Sequence, residues 1–417
     1  MTVADFQLSD LDFWTRPIAE REAAFRLLRT EHPRQWFAEP ENPVMPLGPG
    51  YTSLVRHADV VEASRRAEDF CSGKGTNIVD MPVPFLDFFG SMINMDDPRH
   101  GRMRRIVSAA FTPRKLESMR SDVEGIAAEI VDGIAGRGSC DFVREVAALV
   151  PLRVIVDLMG IPRSEEQFIF DRTNIILGFL DPEYVPAQED PMGITAALLT
   201  AGAELASLVT ELGQDRVNNP RNDLTTALVT AEVDGEHLLP EELASFFILL
   251  VAAGNETTRN AIAHGMHALT EHPEQAATWR ADFERVAPTA VEEIVRWASP
   301  VIHFRRTVTH DGVRLGAQEF AAGDKVVLWY CSANRDEAVF EDPFNFDVLR
   351  APNDHLGFGG PGPHFCLGAH LARREITVTF RELFRRLPDI HSVAEPDRLR
   401  SNFINGIKHL PVEFTPT

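Results

Sequence analysis

Phe358-Gly359-Gly360-Pro361-Gly362-Pro363-His364-Phe365-Cys366-Leu367-Gly368 is the stretch that decides how this chain of 417 residues is read. A lone cysteine is usually a small buried hydrophobe, and Cys71, Cys140 and Cys331 are read that way. Cys366 differs in its setting. The glycines and prolines before it prescribe a tight, rigid turn, and Gly368-Ala369-His370-Leu371-Ala372 after it begins a helix. Such a loop aims backbone N–H groups and a helix N-terminus at the sulfur, which stabilises the thiolate and makes it a good iron ligand. Gly357, Gly359 and Gly362 also spell GxGxxG. Arg350-Ala351-Pro352-Asn353-Asp354-His355 stands before them in place of the apolar strand a dinucleotide site requires, so the nucleotide reading is set aside.

Upstream, the segment from about Met103 to Arg296 is dominated by helical spacing. Its best helix runs from about Pro240 to Thr270. Pro240 suits the first helical position, Glu241 and Glu242 favour the positive helix end, and Leu243, Phe246, Phe247 and Leu250 follow i, i+3, i+4, i+7. His272-Pro273 stops it. At 1.5 Å per residue this rod is roughly 45 Å long, enough to cross a domain core. Ala253-Gly254-Asn255-Glu256-Thr257-Thr258 interrupts its apolar middle with poor helix formers and an acid that is costly to bury. Alone, this reads as a kink with a polar notch. Facing a metal, an acid and an alcohol there deliver protons.

Two weaker patterns flank these. Glu293 and Arg296 lie three apart on one helical face, an arrangement common on solvated helices. In a functional reading they anchor Phe340 to Phe346 behind the Cys loop, joined by Arg350. His100 and Arg104 share a helix face, Arg305-Arg306 follow Pro300, and His364 sits two before Cys366. Each is ordinarily a solvated charge, yet together they offer cations for two carboxylates, such as haem propionates.

Short strand-like runs at Thr52–Val55, Gly312–Leu315, Lys325–Tyr330 and His409–Phe414 give a large helical part with a smaller β part. With no repeat or linker, residues 1–417 are read as one domain. The formal charge of -21 argues against nucleic-acid binding. Met1 to Trp14 lacks a basic region followed by an apolar run, so the chain is expected to stay in the cytoplasm. Phe246 to Ala253, the longest apolar stretch, is far short of the roughly 20 residues of a transmembrane helix, and none is expected. The four cysteines form no close CxxC pair, which disfavours zinc ribbons and disulfide scaffolds.

The Cys loop, the polar interruption, the Glu-x-x-Arg pattern and the scattered cations occur in the order and approximate spacing of the cytochrome P450 superfamily, which the chain resembles over essentially its whole length. The loop carries one extra residue between Phe358 and Cys366, a variant similar to a bacterial group acting on sterols, terpenes and branched lipids. Phe246-Phe247-Ile248-Leu249-Leu250-Val251 through Asn255-Glu256-Thr257-Thr258-Arg259-Asn260 resembles the mycobacterial methyl-branched-lipid ω-hydroxylases. So do Phe89-Gly90-Ser91-Met92-Ile93, Ala290-Val291-Glu292-Glu293-Ile294-Val295-Arg296-Trp297 and Trp329-Tyr330-Cys331-Ser332-Ala333-Asn334-Arg335-Asp336.

The resemblance implies the mainly α P450 fold, with haem b sandwiched between the long helix and the Cys loop. Cys366 would be the axial iron ligand, and His100, Arg104, Arg306 and His364 would hold the cofactor. Glu256 and Thr257 would relay protons, while one oxygen atom of O2 enters a C–H bond of a lipophilic substrate. Terminal hydroxylation of a methyl-branched lipid, isoprenoid or sterol side chain is expected, with Ile93, Phe179, Ala253, Val301 and Phe403 shaping the substrate channel. Electrons would come from NAD(P)H through a separate ferredoxin and its reductase, docked on Arg102, Arg105, Arg114, Lys115, Arg373 and Arg374 by charge steering. A monomer is expected. The alternatives are a haem-binding sensor or storage protein without turnover, against which the Glu256-Thr257 pair argues, and a peroxide-driven hydroxylase of the same fold.

Overall fold

A computed structural model describes residues 2–40, 47–110, 120–186, 190–232 and 235–417. Its axis is the central helix Pro240–Glu271, capped by His272 and carrying Glu241 and Glu242 in its first turn. It stays α-helical through the polar interruption, with the Thr257 hydroxyl donating to the Ala253 carbonyl at 2.6 Å. Around it pack Leu149–Met159, Pro191–Asn218, Phe283–Ala298 and Ala369–Arg386, the helix that follows Cys366. Phe246, Phe247, Val251, Ile262 and Ala263 are among the residues it buries in the main core.

Pro191–Asn218 is, among the described residues, the one helix long and apolar enough to cross a membrane by length and composition. It buries Leu198, Ala201, Leu205 and Val209, a helical stripe, where it packs along the central helix. The sequence hides this helix from a search for unbroken apolar runs because Thr200, Glu204 and Ser207 punctuate it.

The β part is led by a five-stranded mixed sheet in the order Trp36–Phe37, Tyr51–Leu54, Lys325–Trp329, His303–Val308, Phe70–Cys71. Arg305 pairs with Val327 and Arg306 with Val326 across the antiparallel ladder. Pleating points neighbours to opposite faces, and the guanidinium of Arg305 reaches Asp80 and the Gly75 carbonyl. The expected strand His409–Phe414 is two strands. Ile407–His409 pairs with Asp397–Arg398, and Pro411–Glu413 pairs with Ser139–Asp141. Pro411, lacking an N–H, stands at the start of its strand.

Candidate active site

The Cys loop is held from inside and outside. The Cys366 N–H donates to the Phe358 carbonyl at 3.0 Å, and Gly359 closes a turn onto Leu356. Gly359 and Gly362 have positive φ, 87° and 154°, which glycine tolerates best. The helix His57–Arg65 presses on the outer side. A Cβ on Gly360 would collide with Ser64 Oγ, and one on Gly362 would collide with the Ser64 carbonyl oxygen. Cys366 keeps accessible surface toward a cavity that it lines, although it sits deep in the protein. Burial pushes its thiol up. The Gly368 and Ala369 N–H groups and the Arg104 and Arg373 charges pull it the other way, and a bound cation would complete the deprotonation.

At one corner of this cavity stand His100, Arg104, Arg306 and His364. The two imidazoles face each other with ring centroids 4.3 Å apart. Arg104 donates to the Phe365 carbonyl at 2.7 Å and Arg306 to the Arg305 carbonyl at 2.9 Å, both neutral acceptors. Burial and the neighbouring arginines hold His100 below its ordinary value and push His364 down to about 2. His100 Nε2 is buried without a hydrogen-bond partner among the described residues. A buried guanidinium such as that of Arg306, bonded to a neutral carbonyl, is costly unless an anion joins it. Two carboxylates on a haem would satisfy the corner. The open space around Gly368 leaves room beside the sulfur. The donor set therefore fits a haem held at Cys366.

The central helix turns Ala253, Gly254, Thr257, Thr258 and Ala261 toward the same cavity. Glu256 is not on this wall, because successive helix residues diverge by about 100°. Its carboxylate is buried and bonded to Arg259, which in turn donates to Asn174 at 2.9 Å. Burial pushes Glu256 up while Arg259 and Asn260 oppose the shift. The expected acid–alcohol pair is therefore not assembled at one point: Thr257 lines the cavity and Glu256 faces Arg259. A second acid does line it. Glu375, on the helix after Cys366, is pushed up to about 8 by burial, with the Thr258 hydroxyl as its hydrogen-bond partner. Its only sequence signal is an acid amid the apolar stripe Leu371, Ile376, Val378.

Of the residues expected to shape the channel, Ile93, Ala253 and Val301 line the cavity, beside Met92, Leu249, Leu250 and Phe304. Phe403 and Phe179 are not among its lining. Phe403 lies behind Phe304, ring centroids 5.6 Å apart. Phe179 falls in the turn after the helix Glu166–Leu177, where the Tyr184 ring covers Gly178.

The sequence profile described as Cytochrome P450 matches residues 196–400. A methyl-branched lipid omega-hydroxylase of Mycobacterium tuberculosis is 49% identical over 99% of this chain and 95% of its own length. The chain belongs to the cytochrome P450 family. A steroid C26-monooxygenase of Mycolicibacterium smegmatis is 39% identical to this P450 over 93% of this chain and 89% of its own. A Mycobacterium marinum cytochrome P450 solved in complex with pseudoionone superposes with a TM-score of 0.91 at 41% identity, covering 98% of both chains. As a member of this family the protein is a monooxygenase that uses haem.

The Glu293–Arg296 pair of this P450 is buried and bidentate, both contacts 2.7 Å. Arg296 also donates to the Asn334, Pro343 and Asn345 carbonyls, and Arg350 donates to Glu293 at 3.1 Å. The pair thus pins the stretch leading into the Cys loop. The basic patch expected for electron transfer is less free than its sequence suggests. Arg102 is tied to Glu242 and Glu236, and Arg373 to Glu292. Arg114 and Lys115 lie outside the described residues.

Proposed function

We propose that this cytochrome P450 hydroxylates the terminal methyl group of methyl-branched aliphatic chains, with sterol side chains and acyclic isoprenoids as related substrates. The observation that carries this reading is the whole-chain likeness to proteins named for that reaction. The apolar wall of Ile93, Leu249, Leu250, Ala253, Val301 and Phe304 supports it. Terminal C–H bonds are stronger than tertiary ones, so an unconstrained oxidant would attack the branch carbon. Steric control reverses that order. An apolar wall binds an alkyl chain by area, roughly 0.8 kcal/mol per buried CH2, and admits it end-on.

Residues 1–417 act as one domain in this reading. Cys366 would ligate the haem iron, and His100, Arg104, Arg306 and His364 would hold the propionates. Bound there, the haem would supply oxygen activation, which a thiolate ligand favours. Thr257 holds a hydroxyl in the cavity and Glu256 is the nearby proton reserve. The Glu256 Oε1 atom and the Asn255 amide lack partners among the described residues, as groups that take ordered water do. Four dispersed cysteines offer no set for an iron–sulfur cluster. In this reading electrons come from NAD(P)H through a separate ferredoxin and reductase, to a monomer in the cytoplasm.

Product analysis with a methyl-branched fatty acid and its straight-chain analogue tests the proposal. Terminal alcohols should dominate from the branched acid. Predominantly tertiary or subterminal alcohols from both would refute it.

A further inference from the structure

Two neighbouring acids on the helix Phe283–Ala298 face different partners. Glu293 belongs to the Arg296 and Arg350 cluster. Glu292 turns toward the Cys loop. It accepts from Arg373 Nε and, at 2.9 Å, from the Arg373 terminal nitrogen, and it lies 3.0 Å from His355 Nε2. His355 Nδ1 accepts the Gly357 N–H at 3.0 Å, so the ring proton sits on Nε2 and is donated to Glu292. The same carboxylate therefore grips both ends of the loop. Through His355 and Gly357 it reaches Phe358, whose carbonyl takes the Cys366 N–H. Through Arg373 it reaches the helix that starts after Cys366.

Arg373 is also stationed over an aromatic ring, its guanidinium carbon 4.3 Å from the Phe358 centroid. It is close enough to the Cys366 sulfur to favour the thiolate. His355 packs on Phe358 from another side, ring centroids 5.8 Å apart. The partners of Glu292 push its carboxyl down to about 2, so it is a full negative charge at any working pH. Groups beside an axial ligand tune the metal through field and hydrogen bonding.

We propose that Glu292 is a positioning residue that tunes the haem reduction potential, by holding Arg373 over Phe358 and cancelling its charge beside the Cys366 sulfur. This rests on haem ligation by Cys366. Gaining an electron lowers the charge of the haem centre by one, so an added positive field favours reduction and an added negative field opposes it.

The test is spectroelectrochemical titration of the haem-loaded protein in three forms: Glu292→Gln, Arg373→Gln and the double variant. Glu292→Gln, which exposes Arg373, should raise the potential. Arg373→Gln, which exposes Glu292, should lower it. Each should change the reduction equilibrium by about threefold or more, ~28 mV at 59 mV per tenfold for one electron. The double variant should return toward wild type. Shifts of the same sign in both single variants, with the double variant furthest from wild type, would mean a merely mechanical brace and overturn the proposal. Should Glu292→Gln not load haem, Arg373→Gln must still lower the potential and Arg373→Lys restore it, and an unmoved potential overturns the proposal. The carbon monoxide band of each reduced variant reports thiolate ligation separately, so a failure of Cys366 ligation is distinguishable.

Discussion

Two concentrations of largely buried charge differ in how they are completed. Around Glu293 every charge meets an opposite charge or a carbonyl within the protein, from Arg296 and Arg350 to the Asp347 N–H. In the corner of His100, Arg104, Arg306 and His364 the arginines donate to neutral carbonyls, His100 Nδ1 has only the exposed Asp97 carboxylate at 3.8 Å, and His100 Nε2 has no partner among the described residues. A completed cluster builds structure. An incomplete one reserves its stability for a ligand, because a buried cation gains most from the anion that arrives last.

Removing one member of the completed cluster should cost most. Arg296→Ala takes from buried Glu293 its bidentate partner, leaving Arg350 as the remaining cation, and should lower stability by about 3–5 kcal/mol. Chemical denaturation and haem content after expression check this, and near wild-type values would break the contrast. Arg306→Leu should do the reverse in the apoprotein, leaving stability equal or higher. The haem-loaded form should lose about 1.5–3 kcal/mol of cofactor affinity, one charged hydrogen bond. Haem transfer to a scavenging protein measures it, and unchanged transfer would show that this corner does not hold the propionates.

Glu375 is a third case, an acid whose hydrogen-bond partner is the Thr258 hydroxyl. Its folded value near 8 exceeds the ordinary 4.5, so the folded state keeps a proton the unfolded chain releases. Stability contributed by the neutral acid should decline from about pH 4.5 to about pH 8, by up to about 1.4 kcal/mol per pH unit. Glu375→Gln should flatten that slope in melting temperatures taken across the range, and an unchanged slope would assign it to other groups. The smallest structural effect belongs to Thr257→Ala, which removes one hydroxyl-to-carbonyl bond, about 1 kcal/mol. Haem and substrate binding should persist while reducing equivalents are diverted to peroxide. Equal coupling of NAD(P)H consumption to product would remove Thr257 from proton delivery.

How legible these features were in sequence follows from how local they are. The Cys loop is written in consecutive glycines and prolines, and the central helix in its periodicity and caps, so both were readable to within a residue or two. The Glu293–Arg296–Arg350 cluster was readable because two members are three apart on one helix. Glu256 and Thr257 are legible as an acid and an alcohol that relay protons, but their different directions are not, since adjacent helix positions diverge and Arg259 at i+3 captures the Glu256 carboxylate. Phe403 required knowing that Phe304 stands before it. The role of Arg373 required its partner Glu292, eighty-one residues away.

The seating of Gly360 and Gly362 against Ser64 bears on any exchange of parts between members of this family. The loop and the helix His57–Arg65 form one fitted joint, although almost three hundred residues of chain separate them. A graft that imports a Cys loop one residue shorter would meet a helix shaped for the longer one, and would have to bring its own counterpart of Ser64 along. Breeding chimaeras by a single crossover anywhere between the two segments splits that joint, whereas a double exchange carrying both keeps it whole.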